Sequence, residues 1–200
     1  MDLFKDLNYE SYLLENPLNL LLGINLENYG DVKEKITRSP YETVSNSEYP
    51  NSTELDDLIR LHYLVRSRKV TTILEIGVGK STAVFSDALS KNKDLYSEYV
   101  AENLRRSNPF ECHSVDNNED WINAVKLEYI DLKNVTYHFC KCEVSSINSR
   151  ICTLFHGMPN ICPDLIYLDG PDQFSPEGDI RGLSTKHPDR MPMSGDIITI

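Results

Sequence analysis

The segment VTTILEIGVGKST, residues 70–82, constrains the fold more than any other stretch of the chain. It reads as a strand, a glycine turn and the first turn of a helix that continues through KSTAVFSDALS. The strand is β-branched and apolar almost without interruption. Alternation would mark a sheet with one wet face, whereas continuous apolarity marks a strand covered on both faces, as in a parallel sheet.

The same grammar recurs downstream. ECHSVD (111–116) is a strand ending in an acid, NEDWINAVKLEYI a helix, and NVTYHFCKC a third strand. SINSRICTLF is expected as a weaker helix, and DLIYLDG as a fourth strand ending in an acid and a glycine. Alternating strands and helices imply an α/β fold: a three-layer, Rossmann-like, doubly wound sheet. Residues 53–200 are assigned to this domain and 1–52 to an N-terminal extension. In the extension, YLLENPLNLLLGINL is expected as a helix broken at Pro17 and Gly23, and RSPYETVSNSEYPNST as loop. A helix then starts near Thr53, with Asp56 at capping-box spacing, and runs to about Ser67. Leu55, Leu58, Ile59, His62 and Val65 form its apolar stripe. KNKDLYSEYVAENLRRSN is polar and expected as an inserted helical turn or loop, and residues 170–195 as a long loop. The closing DIITI reads as the start of the next crossover helix, so the sheet lacks its C-terminal strands in this chain.

A net charge of −11 repels nucleic-acid phosphates and anionic lipid, and no apolar run approaches a membrane span. The start MDLFK carries no secretory pattern. Five cysteines, Cys112, Cys140, Cys142, Cys152 and Cys162, include no C-x-x-C pair, which fits reduced, packed thiols better than disulfides or structural zinc. Cys140 and Cys142 fall on one side of the third strand if it stays extended. The sequons at Asn51 and Asn134 then have no meaning, and the expected location is cytoplasmic. Expected partners are a small-molecule substrate but neither nucleic acid nor membrane; self-association as a homo-oligomer stays open.

Three ligand classes compete for the glycine turn. A phosphate loop requires G-x-x-x-x-G-K-[ST]. Gly79, Lys80 and Ser81 fit its end, but Leu74 stands where the first glycine belongs. Glu75 would lie inside the anion cradle, where unit charges ~4 Å apart repel by about 4 kcal/mol at an effective dielectric near 20. A dinucleotide turn requires G-x-G-x-x-G; Gly77 and Gly79 fit and Thr82 replaces the third glycine. S-adenosylmethionine has a sulfonium, an ammonium and a carboxylate but no phosphate. For it, Gly77 and Gly79 permit close backbone approach, Glu75 suits the ammonium end, and Asp116 suits the two ribose hydroxyls. Ser81, in the first helical turn, completes the candidate cofactor-binding set.

LEIGVGKST, HSVD ending at Asp116, and DLIYLDGP, in that order, resemble the first, second and fourth motifs of the class I S-adenosylmethionine-dependent methyltransferases. The resemblance covers about residues 55–200. It implies a seven-stranded sheet with an antiparallel last strand, of which this chain holds the first four. Where the family often places an acid near the adenine, this chain has Cys140, Lys141 and Cys142, with Glu143 the nearest acid. Trp121 is expected in the core rather than against the adenine. LDGP departs from the [DN]-P-P-[YFW] motif of enzymes that methylate DNA amino groups, and is more like small-molecule and sugar O-methyltransferases.

The resemblance puts Asp169 where the transferred methyl points, as base, metal ligand or substrate anchor. Asp169 and Asp172 would suit Mg²⁺ with a third carboxylate, which makes Mg²⁺ a candidate second cofactor with no metal ligand assigned. His187 is a weaker base candidate. The expected function is S-adenosylmethionine-dependent O-methylation of a small molecule or sugar. The alternatives are a phosphate-loop-like nucleotide-binding protein and a non-catalytic S-adenosylmethionine- or dinucleotide-binding module.

Overall fold

The computed structural model describes residues 3–24, 26, 55–187 and 193–200. Its centre is a parallel sheet of β1 (Thr72–Ile76), β2 (Glu111–Asp116), β3 (Val135–Phe139) and β6 (Leu165–Leu168), in the order β3-β2-β1-β6. Every residue of β1 is buried, Thr72 and Glu75 included, as its nearly continuous apolar run requires of an inner strand. The chain builds the sheet outward from β1 to β3, then returns to the far side of β1 to lay down β6. That reversal puts the topological switch point between β1 and β6.

One face of the sheet is covered by helices. Among them are α3 (Leu55–Ser67), α4 (Lys80–Asn103) and α5 (Glu119–Glu128). Ile73 and Cys112 of the sheet pack with Val65 of α3 and with Phe85, Ala88 and Leu89 of α4. The stripe Leu55, Leu58, Ile59, His62 and Val65 is buried as its spacing requires; the Thr53 cap expected ahead of it lies outside the described residues. The extension is helical over α1 (Tyr9–Glu15) and α2 (Leu18–Leu21), interrupted at Pro17 and followed by Gly23 in the left-handed region. It is not peripheral. Leu18 and Leu22 are buried beside Leu55, Ile59, Val84 and Ile122, and the Tyr12 hydroxyl reaches His62 at 2.6 Å. The loop expected at RSPYETVSNSEYPNST lies outside the described residues.

Two expectations are corrected. The polar segment after Ser90 is no insertion: α4 runs unbroken to Asn103. It holds no glycine or proline, and once α4 is nucleated and packed, ordinary propensity carries it on. Its inward positions are few. Asn92 is buried and donates to the carbonyls of Val65 and Val70, and Val100 is buried one stripe further on. An asparagine in the stripe hides the period from a reading of apolar residues.

SINSRICTLF is not a helix. Cys142–Ile147 (β4) and Arg150–Phe155 (β5) form an antiparallel hairpin closed by Asn148 and Ser149, with φ of 50° and 64°. A two-residue turn with both φ positive matches the twist of the strands it joins. The hairpin supplies cover for the second sheet face, where Leu74, Ile76 and Val115 pack with Cys140, Cys142 and Phe155. The expected third helical layer is therefore a β-hairpin here. β3 stops at Phe139, so Cys140 and Cys142 belong to a bend and a new strand rather than to one extended run. All five cysteines are free; only Cys162 is exposed.

The described residues after Gly170, 171–187 and 193–195, are irregular, as expected, but they are tied down. Glu177 bonds to Cys142 and Val144 along β4, and Met193 and Gly195 bond to Thr153 of β5. DIITI is helical, as α6 (Asp196–Thr199). Asp196 anchors its start, accepting from the Phe155 N–H at 3.0 Å and the Ser194 hydroxyl at 2.7 Å.

Candidate functional site

Three loops meet where β1, β2 and β6 end. The first is the glycine turn, residues 77–79. Gly77 has φ +103°, and a Cβ there would lie 2.5 Å from the Asp169 carbonyl oxygen. Gly170, across from it, is equally confined: its Cβ would meet the Gly77 Cα at 2.9 Å. The two strand ends thus touch backbone to backbone, which only glycine on both sides allows. Gly79 differs. A Cβ built on it meets no protein atom within 4 Å, so this glycine faces open space at the start of α4.

Glu75 lies beneath the turn and is fully buried. Oε1 accepts from the Ser81 hydroxyl at 2.5 Å, and Oε2 from Thr82 and Ser114 at 2.6 Å each. Thr82 also accepts from the Gly79 N–H at 3.1 Å. One carboxyl therefore ties β1, β2 and the first turn of α4 together, and the Ser81 hydroxyl expected at the ligand is committed to it. Burial pushes the Glu75 carboxyl up to about 7, against the pull of the three hydroxyl donors. A ligand ammonium reaches Glu75 only by displacing one of them.

Asp116 forms the second loop with Asn117 and Asn118. Its Oδ2 accepts from the Val78 N–H at 3.0 Å and its Oδ1 from the Asn118 N–H at 2.9 Å. The cap of α5 is Asn118, whose side chain accepts from the Trp121 N–H at 3.0 Å. Asp116 instead joins the end of β2 to the glycine turn. Burial raises its pKa, and the nearby Asp172 adds to the rise.

The third loop begins at Asp169, whose N–H donates to the Ile76 carbonyl at 2.7 Å and so extends the β1–β6 ladder. Its carboxyl is exposed at the sheet's carboxyl edge, 3.4 Å from the Tyr167 hydroxyl, and partial burial raises its pKa. The chain then turns so that Ser175 and Asn117 exchange hydrogen bonds at 3.0 and 3.2 Å, closing the third loop against the second.

Of the residues expected at the site, Gly77, Gly79, Asp116 and Asp169 form one cluster at the carboxyl ends of β1, β2 and β6, and Glu75 and Ser81 lie beneath it. Asp172 joins it; its carboxylate accepts from the Phe174 N–H at 2.9 Å. Glu143 is drawn into β4, paired with His156 at 2.9 Å, and His187 is exposed on the long loop. Trp121 corrects the expectation of a core residue. It is 47% exposed, and its indole N–H donates to the Val78 carbonyl at 2.5 Å. On helix α5 the apolar face is Ile122 and Val125, so Trp121 falls beside that face and over the turn. Among the described residues, no group of three His, Cys, Asp or Glu side chains could hold a metal ion. No helix among them is long and apolar enough to cross a membrane.

Compared with protein-family models, with curated proteins and with solved structures, the chain gives no significant match.

Proposed function

We propose that this chain is an S-adenosylmethionine-dependent methyltransferase domain that methylates a hydroxyl of a small molecule or sugar, and that its sheet is the methyltransferase type of Rossmann-like fold. The observation that carries the reading is the meeting, at the switch point, of the glycine turn with the carboxylates of Asp116, Asp169 and Asp172. Carboxylates repel a polyphosphate and favour a sulfonium cation. The phosphate-loop alternative loses its Ser81 hydroxyl to Glu75. The open space over Gly79 is where a ligand can approach the backbone.

When bound, S-adenosylmethionine supplies an electrophilic methyl group on a sulfonium. Asp116, held by two backbone N–H groups, keeps lone pairs for the two ribose hydroxyls. The exposed indole of Trp121 offers the adenine a flat apolar surface beside the turn. Asp169 orients the acceptor hydroxyl and takes its proton as the oxygen attacks; its raised pKa makes it a stronger base than an ordinary aspartate. Tyr167, within 3.4 Å, restrains the carboxylate.

Parallel titrations with S-adenosylhomocysteine, ATP–Mg²⁺ and NAD test the reading. S-adenosylhomocysteine should raise the melting temperature, with stabilisation of about 2.7 kcal/mol at a hundredfold excess over Kd. Stabilisation by ATP or NAD and not by S-adenosylhomocysteine would overturn it.

A further inference from the structure

A concave site lies at the opposite end of the same sheet from the glycine turn. Thr72 opens β1, Asn108 precedes β2 and Cys162 precedes β6; with Arg105, Arg106, Ser107, Asn160 and Ile161 they enclose a cavity of about 270 Å³. The length of β1, about 15 Å at the usual rise per residue, separates it from the glycine turn.

Its charge is opposite to that of the molecule. The chain carries −11, yet two arginines and no carboxylate line this cavity. The two have different roles. Arg106 is neutralised and fixed: it pairs with Asp164 and donates to the Cys162 carbonyl at 3.1 Å. Asp164 is in turn held by the Thr71 N–H at 2.9 Å and the Thr71 hydroxyl at 2.6 Å, so that wall is rigid. Asn108 is partly committed, donating to Glu111 at 3.1 Å. Arg105 is exposed and has no carboxylate partner among the described residues. Arg105 therefore brings the cavity's uncompensated charge, and Ser107 and Asn160 are further polar residues of its lining.

We infer that this cavity is a binding site for a small oxyanion, a carboxylate or a phosphoryl group, held by Arg105. A guanidinium presents a planar fork that matches either group with two parallel hydrogen bonds. The volume lies just below the usual range of ligand pockets, which suits a small anion rather than a nucleotide. The site is independent of the cluster at the carboxyl ends, and does not depend on what that cluster binds.

Cys162 provides the assay. It is the one exposed thiol of the five and it lines the cavity. A neutral alkylating reagent should label Cys162 first, with mass spectrometry confirming that the four buried thiols stay unmodified and the fold intact. Inorganic phosphate and citrate, tested separately against sodium chloride at matched ionic strength, distinguish a phosphoryl from a carboxylate ligand. At least one of them should slow labelling about fivefold or more, saturably, and Arg105→Gln should abolish the protection. Calorimetric heats, lost in the same variant, detect binding that leaves the thiol accessible. Equal protection by chloride, undiminished protection in Arg105→Gln, or neither protection nor heat from either anion would overturn the inference. S-adenosylhomocysteine should not protect Cys162, so the two sites are tested separately.

Discussion

Replacing Glu75 by glutamine tests whether the turn rests on a buried carboxyl that prefers to be neutral. The unfolded chain ionises this group near 4.5, whereas burial raises it to about 7 in the folded protein. Below about pH 4.5 both states hold the proton and the group does not oppose folding. As pH rises from there through 7, the unfolded state gives up its proton more readily, and stability falls. A displacement of roughly 2.5 pK units corresponds to about 3 kcal/mol. For a chain of this size that is roughly 6–12 °C in Tm. Glutamine keeps the shape but does not titrate. At pH 5 the variant should be less stable than the parent, because an amide donor replaces an acceptor that received hydroxyl hydrogen bonds. Part of the loss has already occurred at pH 5, so by pH 8 that gap should shrink by roughly 5–10 °C, or reverse. Asp116 and Asp169 contribute pH dependence of their own; the charge of Asp169 also pushes Glu75 up, so the difference between the two proteins reads Glu75 together with that coupling. Thermal melts of both proteins from pH 4.5 to 8.5 are sufficient. A Tm difference constant over that range would show that Glu75 titrates normally and refute the account of the turn.

The two glycines of the turn should behave oppositely. Gly77→Ala drives a Cβ into the Asp169 carbonyl at a positive φ and should destabilise by roughly 3 kcal/mol or more in denaturant titration, whereas Gly79→Ala should change stability by about 1 kcal/mol or less. Gly79→Ala should instead weaken S-adenosylhomocysteine binding about tenfold or more by calorimetry, since its methyl enters the open space beside the turn. In an active enzyme, Asp169→Asn should leave cofactor affinity within a few-fold and lower turnover ~10²-fold or more, while Asp116→Ala should weaken cofactor binding first. Ser149→Gly relieves a left-handed residue in the hairpin turn and should raise stability by about 0.5–1 kcal/mol, read as a higher denaturation midpoint with unchanged slope.

Local chemistry was enough for much of this protein. The apolar run of β1, the glycines at 77, 79 and 170, the terminal acids of β2 and β6, and the stripe of α3 can each be read from neighbouring residues, because strand burial, turn geometry and helical period are short-range properties. They establish an α/β sheet and indicate which strand ends come together at the candidate site. What only the tertiary structure decided depends on distant partners. CEVSSI and RICTLF became a hairpin because Asn148 and Ser149 could both adopt positive φ and the second sheet face needed cover; the apolar content alone fits a helix equally well. Helix α4 continued past Ser90 because Asn92 found the carbonyls of Val65 and Val70, more than twenty residues away. Trp121 reached the glycine turn through a bond to Val78, and Glu75 was buried by hydroxyls from α4 and β2 rather than left at the surface. A side chain's period assigns it to a face. Whether that face meets solvent, core or another loop is set by packing between segments that the sequence lists far apart.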